Sequence, residues 1–106
     1  MNNLPIVDAE ISIEPIGTSD TSMGKEIAAA YNAIRNIQNL KVTLTPMSTQ
    51  IESDNLDDIL HAIRLAHSSA KSAGVKRIIS TIRIDERLDK PNTMEEKVQS
   101  VKAKVS

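Results

Sequence analysis

The chain has no cysteine, no tryptophan and no phenylalanine, and Tyr31 is the only aromatic side chain among its 106 residues. Each gap removes a class of function. Without thiols there is neither a disulfide framework nor a thiolate metal site, which fits a reducing compartment. Without aromatic platforms bases have nothing to stack on, and a formal net charge of −1 leaves no electrostatic footprint for a polyanion. Nucleic acid is therefore not an expected partner. No apolar run reaches the roughly 18 residues of a spanning helix. The start, Met1-Asn2-Asn3-Leu4-Pro5, lacks the basic region and apolar segment of a signal peptide. The expected location is the cytoplasm, with no membrane partner.

Apolar residues make up 40% of the chain and charged residues 25%, as in an ordinary globular protein, and 106 residues suffice for one domain, 1–106, but not for two. The chain has only three glycines and four prolines, and Pro15, Gly17, Pro46, Gly74 and Pro91 mark boundaries. From Ile6 to Ile16 the pattern alternates, Val7, Ala9, Ile11 and Ile13 against Asp8, Glu10, Ser12 and Glu14, which predicts a strand ended by Pro15 and Gly17. The hydroxyl-rich loop Thr18-Ser19-Asp20-Thr21-Ser22 is expected to cap a helix whose apolar stripe is Ile27, Ala30, Tyr31, Ile34 and Ile37. Alternation returns through Val42 to Thr45, breaks over Pro46, Met47 and Ser48, and resumes from Thr49 to Ser53, which predicts a hairpin. Asp54 is the expected N-cap of a second helix with the stripe Leu56, Ile59, Leu60, Ile63, Ala66 and Ala70, stopped by Gly74. A fourth strand covers Arg77 to Asp85, and Thr93-Met94-Glu95-Glu96 is a capping-box pattern before a short last helix through Val98 and Val101.

This order, βαββαβ plus a C-terminal helix, is an α+β, ferredoxin-like arrangement: a four-stranded antiparallel sheet with both main helices on one face. The other face is then expected to carry Glu10, Ser12, Glu14, Thr43, Thr45, Gln50, Glu52, Arg77, Thr81 and Arg83. Such a face is either solvated or stacked on a second subunit, with Glu opposite Arg.

The usual equipment for chemistry is missing from the pattern. His61 and His67 point about 120° apart on a helix and cannot chelate one metal as an i,i+4 pair would; His67, on the apolar stripe, reads as a packed, hydrogen-bonded residue. Glu10, Glu14 and Glu52 share their face with Arg77 and Arg83, which favours ion pairs over a cation site. Asp85, Arg87, Asp89 and Lys90 likewise read as surface or interface ion pairs. The Thr18–Ser22 loop lacks the Gly-Lys-Ser of a phosphate loop, and its hydroxyls have no neighbouring base. No catalytic residue, metal site or cofactor is expected.

Four blocks in order carry a resemblance: Ile11-Ser12-Ile13-Glu14-Pro15-Ile16-Gly17-Thr18; Leu44-Thr45-Pro46-Met47-Ser48-Thr49-Gln50-Ile51-Glu52; Ala66-His67 before Gly74; and Arg77 with Thr81 to Arg87, Asp89 and Lys90. From about Val7 to Val101 the chain resembles the small single-domain thiamine-binding protein family. The resemblance implies a ferredoxin-like domain that binds thiamine or its hydroxymethylpyrimidine moiety in vitamin supply or salvage, without catalysis, as a homodimer or homotetramer joined through the open sheet face. It also implies ligand contacts at Thr18 and Ser22 in the first loop, Thr45, Met47, Thr49 and Glu52 in the hairpin, and Arg83 on the last strand. Glu52, supported by Thr45 and Thr49, suits an aminopyrimidine, Glu14 a thiazolium cation, and Met47 an apolar wall. Two positions depart from the family pattern, Ser48 in place of Gly and Lys71 in place of an aromatic, and both bear on ligand choice. Two other readings stand beside this one: a structural or regulatory oligomeric module without a small ligand, and an enzyme acting on a pyrimidine through His67 and Glu52.

Overall fold

The computed structural model describes residues 6–105. In chain order it contains β1 (Val7–Ile16), α1 (Gly24–Ile34), β2 (Lys41–Leu44), β3 (Thr49–Ser53), α2 (Leu56–Lys71), β4 (Arg77–Glu86) and α3 (Met94–Lys102). The strands form one four-stranded sheet in the order β2-β3-β1-β4, with antiparallel neighbours throughout. This is the ferredoxin-like arrangement expected from the pattern.

β1 organises the sheet. It pairs with β4 along its whole length, Val7 opposite Glu86 through Ile16 opposite Arg77, but with β3 only from Val7 to Ile11. Pro15 therefore falls where β1 has a single neighbour, a position that tolerates a residue without an N–H. The odd-numbered residues Val7, Ala9, Ile11 and Ile13 are buried beneath the helices together with Ile51 of β3, Ala30 and Ile34 of α1, and Ile59, Ala62, Ala66 and Ala70 of α2.

The face that α2 presents differs from the expected stripe. Ala62 joins Ala66 and Ala70 in a row four residues apart, so that small side chains let the helix lie close to its neighbours. Leu56 and Leu60, expected on the stripe, remain 39% and 47% exposed at its margin. On α1, Glu26 is buried alongside Ala30 and Ile34.

Capping also differs at two of the three helices. Asn55, extended at φ −138°, is the N-cap of α2 and accepts a hydrogen bond from the Asp57 amide at 2.8 Å. Asp54, one residue too early, instead accepts from the Asn39 side chain at 3.0 Å. That bond and a second from the same amide group to Asp58, also 3.0 Å, hold Asn39 in the left-handed region at φ 68°. At α1 the N-cap is Met23, with no side-chain bond, because the loop hydroxyls are engaged locally: Thr18 donates to the Asp20 carbonyl at 2.8 Å. The capping box of α3 is as expected, with Glu96 N–H donating to Thr93 Oγ1 at 3.1 Å and Thr93 N–H donating to Glu96 Oε1 at 2.9 Å.

The third helix returns across the sheet. Met94 and Lys97 bond to residues of the face opposite α1 and α2, so α3 covers one end of the face that sequence patterning left open.

Candidate functional site

The strand register assembles the open face in rows. In one row, Lys41, Glu52, Asp8 and Asp85 stand side by side on β2, β3, β1 and β4; in the next, Thr43, Gln50, Glu10 and Arg83 do so. Three adjacent carboxylates on neighbouring strands repel one another, and directly opposed like charges destabilise a sheet. α3 resolves this conflict. Lys97 Nζ lies 2.5 Å from Asp8 Oδ2 and 2.6 Å from Asp85 Oδ2, and the Met94 amide donates to Glu52 Oε1 at 2.6 Å. No residue of α3 is fully buried, and these polar contacts tie it to the sheet.

The charge states follow from this packing. Burial pushes the Glu52 carboxyl above its ordinary value; the Met94 amide pulls it back, and neighbouring Asp8 pushes it further up. Burial alone would lower the Lys97 ammonium, but its hydrogen bonds to Asp8 and Asp85 outweigh that and hold it above its usual value. The bond to Lys97 keeps Asp85 below the usual carboxylate range.

Between α3 and the sheet lies a cleft of about 570 Å³ walled by Asp8, Glu10, Gln50, Arg83, Met94 and Lys97. Asp8 is only 6% exposed, and its second oxygen, Oδ1, has no hydrogen-bond partner. Arg83 Nη1 is 3.6 Å from Glu10 Oε1. The other oxygen of Glu10 accepts a hydrogen bond from Ser48 Oγ at 3.1 Å, which ties the hairpin tip to β1. Ser48 thus has a structural task, and its backbone needs no glycine: Asn39 is the one non-glycine residue at positive φ among the described residues.

The expected site residues do not form a single pocket. Arg83 lines the cleft, and Glu52 belongs to the carboxylate row at its edge. Thr45, half-buried, is linked to it through Ser48, donating to the Ser48 carbonyl at 2.7 Å. Met47 is 84% exposed at the hairpin tip, without the shelter of a wall. Thr49 pairs with Ile11 on the helix-covered face and is 7% exposed, so it does not stand beside Glu52; an odd–even shift along β3 puts the two on opposite sides. Glu14 shares the open face but lies six residues along β1 from Asp8, roughly 20 Å away at strand spacing. Thr18 and Ser22 line a separate cavity of about 400 Å³ between the first loop, α1 and the α2–β4 turn.

Asp8, Gln50, Asp85, Met94 and Lys97 line the cleft but are not among the expected ligand contacts. Alternation does put Asp8 on the polar face, but only the register reveals the row it belongs to. His67 behaves as a packed histidine, its Nδ1 2.6 Å from Ser80 Oγ. Ser80 pairs with Ile13 on the helix side, so His67 and Glu52 stand on opposite faces of the sheet. Among the described residues no group of three or more acids or histidines is arranged for a metal ion, and no helix is long and apolar enough to cross a membrane.

A family model described as thiamine-binding protein matches residues 9–102. The chain belongs to the thiamine-binding protein family. Within reach of the family is the UPF0045 protein of Methanothermobacter thermautotrophicus, 34% identical over 100 residues that cover 94% of this chain and 100% of that protein. The crystal structure of a hypothetical protein from Methanocaldococcus jannaschii superposes with a TM-score of 0.82 at 38% identity, covering 92% of this chain and 96% of the other. A candidate thiamine biosynthesis/salvage protein of Thermotoga maritima, 23% identical, matches with a TM-score of 0.76 over 92% of this chain and 99% of its own, a likeness of fold.

Proposed function

We propose that this chain reversibly binds thiamine or its hydroxymethylpyrimidine moiety in the cleft beneath α3, without turning it over, in cytoplasmic vitamin supply or salvage. The observation that carries the reading is the cleft itself, about 570 Å³ beneath α3 and lined by carboxylates, an amide and two cations, whose volume and polar lining suit a small heterocycle. A ring amino group finds carboxylate acceptors in Glu10 and Asp85, and Gln50, with both donor and acceptor, reads a ring nitrogen. The carboxylates Asp8, Glu10 and Asp85 outnumber the cations Lys97 and Arg83 that pair with them in the cleft, which suits a thiazolium cation, while Arg83 at the rim suits a hydroxyl or phosphate tail. Family membership supports the ligand class. The separation of His67 from Glu52 across the sheet supports binding over catalysis, since a proton relay needs its groups within hydrogen-bond reach. The same reading has the chain assemble as a homodimer or homotetramer through the part of the sheet face that α3 leaves open, around Glu14, Ile79 and Thr81.

Thermal unfolding with thiamine, its phosphates, hydroxymethylpyrimidine and unrelated pyrimidines tests the reading. A ligand present at a hundred times its Kd stabilises the fold by about 2.7 kcal/mol, several degrees for a domain of this size. The expected shift is confined to thiamine-like compounds and shrinks in Arg83→Ala and Gln50→Ala. A folded chain that shifts with none of them would leave the sheet face as an assembly surface only.

A further inference from the structure

The second cavity combines features that the open-face cleft does not use. Its walls include Asp20, Ser22, Lys25, Glu26, Gly74 and Lys76, none of which lines the first. Gly17 at φ 81° and Gly74 at φ 85° turn the chain at its two sides, where a side chain would strain the backbone. Within it, Glu26 is 5% exposed, and its Oε2 is buried without any hydrogen-bond partner. Neither Lys25 nor Lys76 has an ion-pair partner among the described residues. α1 begins at Gly24 with no side-chain cap, which leaves first-turn amide donors open. Ser22 Oγ accepts from the Gly24 amide at 3.3 Å, so its own proton is available to a ligand.

A bare anion would suit the lysines and the helix start but would meet the carboxyls of Asp20 and Glu26. A bare cation would suit Glu26 but would meet two ammonium groups. A molecule carrying both charges a few bonds apart satisfies the two lysines and Glu26, while Asp20 already accepts from the Ser22 amide at 3.0 Å. We propose that this cavity is a second binding site, for a compact zwitterion whose carboxylate or phosphate is held by Lys25, Lys76 and the α1 amides while its ammonium donates to Glu26. Carboxylate and phosphate head groups share this chemistry; Thr18 and Ser22, which the family resemblance implies as ligand contacts, lie here, and the proposal does not rest on thiamine binding beneath α3.

The test is an amide chemical-shift titration of the whole labelled chain with four probes: glycine, phosphoethanolamine, inorganic phosphate and ethylammonium. The expected result is saturable shifts at Gly17 to Glu26 and Ala73 to Lys76 with one of the zwitterions or both, which separates the carboxylate from the phosphate source. Each half-ligand should bind about tenfold more weakly or worse, the loss expected when a charge-assisted hydrogen bond is missing. Glu26→Gln and the surface variant Lys76→Ala should each weaken the zwitterion by about tenfold, with the amides of Ile51 and Ile59 unmoved as evidence of an intact fold. Absence of saturable shifts with both zwitterions would overturn the proposal. So would inorganic phosphate binding as tightly as phosphoethanolamine, or affinities unchanged in both variants. Because the reporter amides and variants lie outside the α3 cleft, failure here leaves the thiamine test untouched, and the reverse holds too.

Discussion

The two faces of β1 are built from one run of ten residues, yet they are held by different forces. Val7, Ala9, Ile11 and Ile13 pack into a dry core of isoleucine and alanine under α1 and α2. Asp8, one step along, is almost as buried, but on the opposite face and by a different agent: an ammonium from Lys97 and the covering helix α3. Burial of apolar area depends little on pH or salt, whereas burial of a carboxylate lasts only while its partner is charged and in place. The face that secures the fold is therefore insensitive to solution conditions, and the face that offers a binding cleft is sensitive to them.

The comparison is broken most severely from the covered side. Ile51→Ala, at a residue with 0% exposure, should cost about 3 kcal/mol, and the loss should be nearly the same at low and high salt. Chemical denaturation followed by far-ultraviolet circular dichroism measures this, since the chain has no tryptophan to report it. A loss below about 1 kcal/mol would mean that the core relaxes around the gap.

On the open side Lys97→Met should cost somewhat less, about 2 to 3 kcal/mol, because it leaves the buried Asp8 without its cation. The deficit should diminish when Asp8→Asn is added, as expected for a pair that acts as a unit. Hydrogen exchange should report faster opening of α3 in the single variant while α2 stays protected; equal protection of α3 would show that contacts other than Lys97 dock it.

The smallest effect sharpens the contrast through pH. The Glu52 pKa is raised in the fold, so the folded chain holds that proton more tightly than the unfolded one. Its contribution is fully present below the ordinary carboxyl value of 4.5 and is lost as pH rises through the raised value. Asp85 is the reverse: its pKa is lowered, so its contribution is present above 3.8 and is lost as pH falls through the depressed value. The stability of the wild type relative to Glu52→Gln should therefore fall with rising pH, and relative to Asp85→Asn it should rise. Denaturation midpoints between about pH 3 and pH 6 read both slopes, and two parallel slopes would contradict the row geometry.

Period-2 and period-3.6 patterns, read with a handful of glycines and prolines, made the element order, the ferredoxin-like topology and the buried side of β1 legible from residues alone. The capping box at Thr93 and Glu96 was equally legible, because both partners lie within one helical turn. Local grammar was less decisive at the other helix starts, where two adjacent residues can serve as caps and the backbone chooses one: Asn55 rather than Asp54, and Met23 rather than a loop hydroxyl.

What depended on long-range pairing was not legible in the same way. Odd–even position alone puts Thr49 and Glu52 on opposite faces of β3, but which residues stand across from them, Ile11 and Asp8, is set by register. The row Glu52–Asp8–Asp85 joins residues from three strands, and Lys97 reaches it from a helix 89 residues beyond Asp8. The division of Thr18 and Ser22 from Arg83 into two cavities likewise follows from where the ends of β1 lie in the folded chain. The sequence by itself determined which residues alternate, where the helices run and which side of β1 is apolar, because those follow from bonds and side chains close along the chain. Only the tertiary structure decided which charges meet and what covers them, because register and helix docking are set by the summed contacts of distant segments.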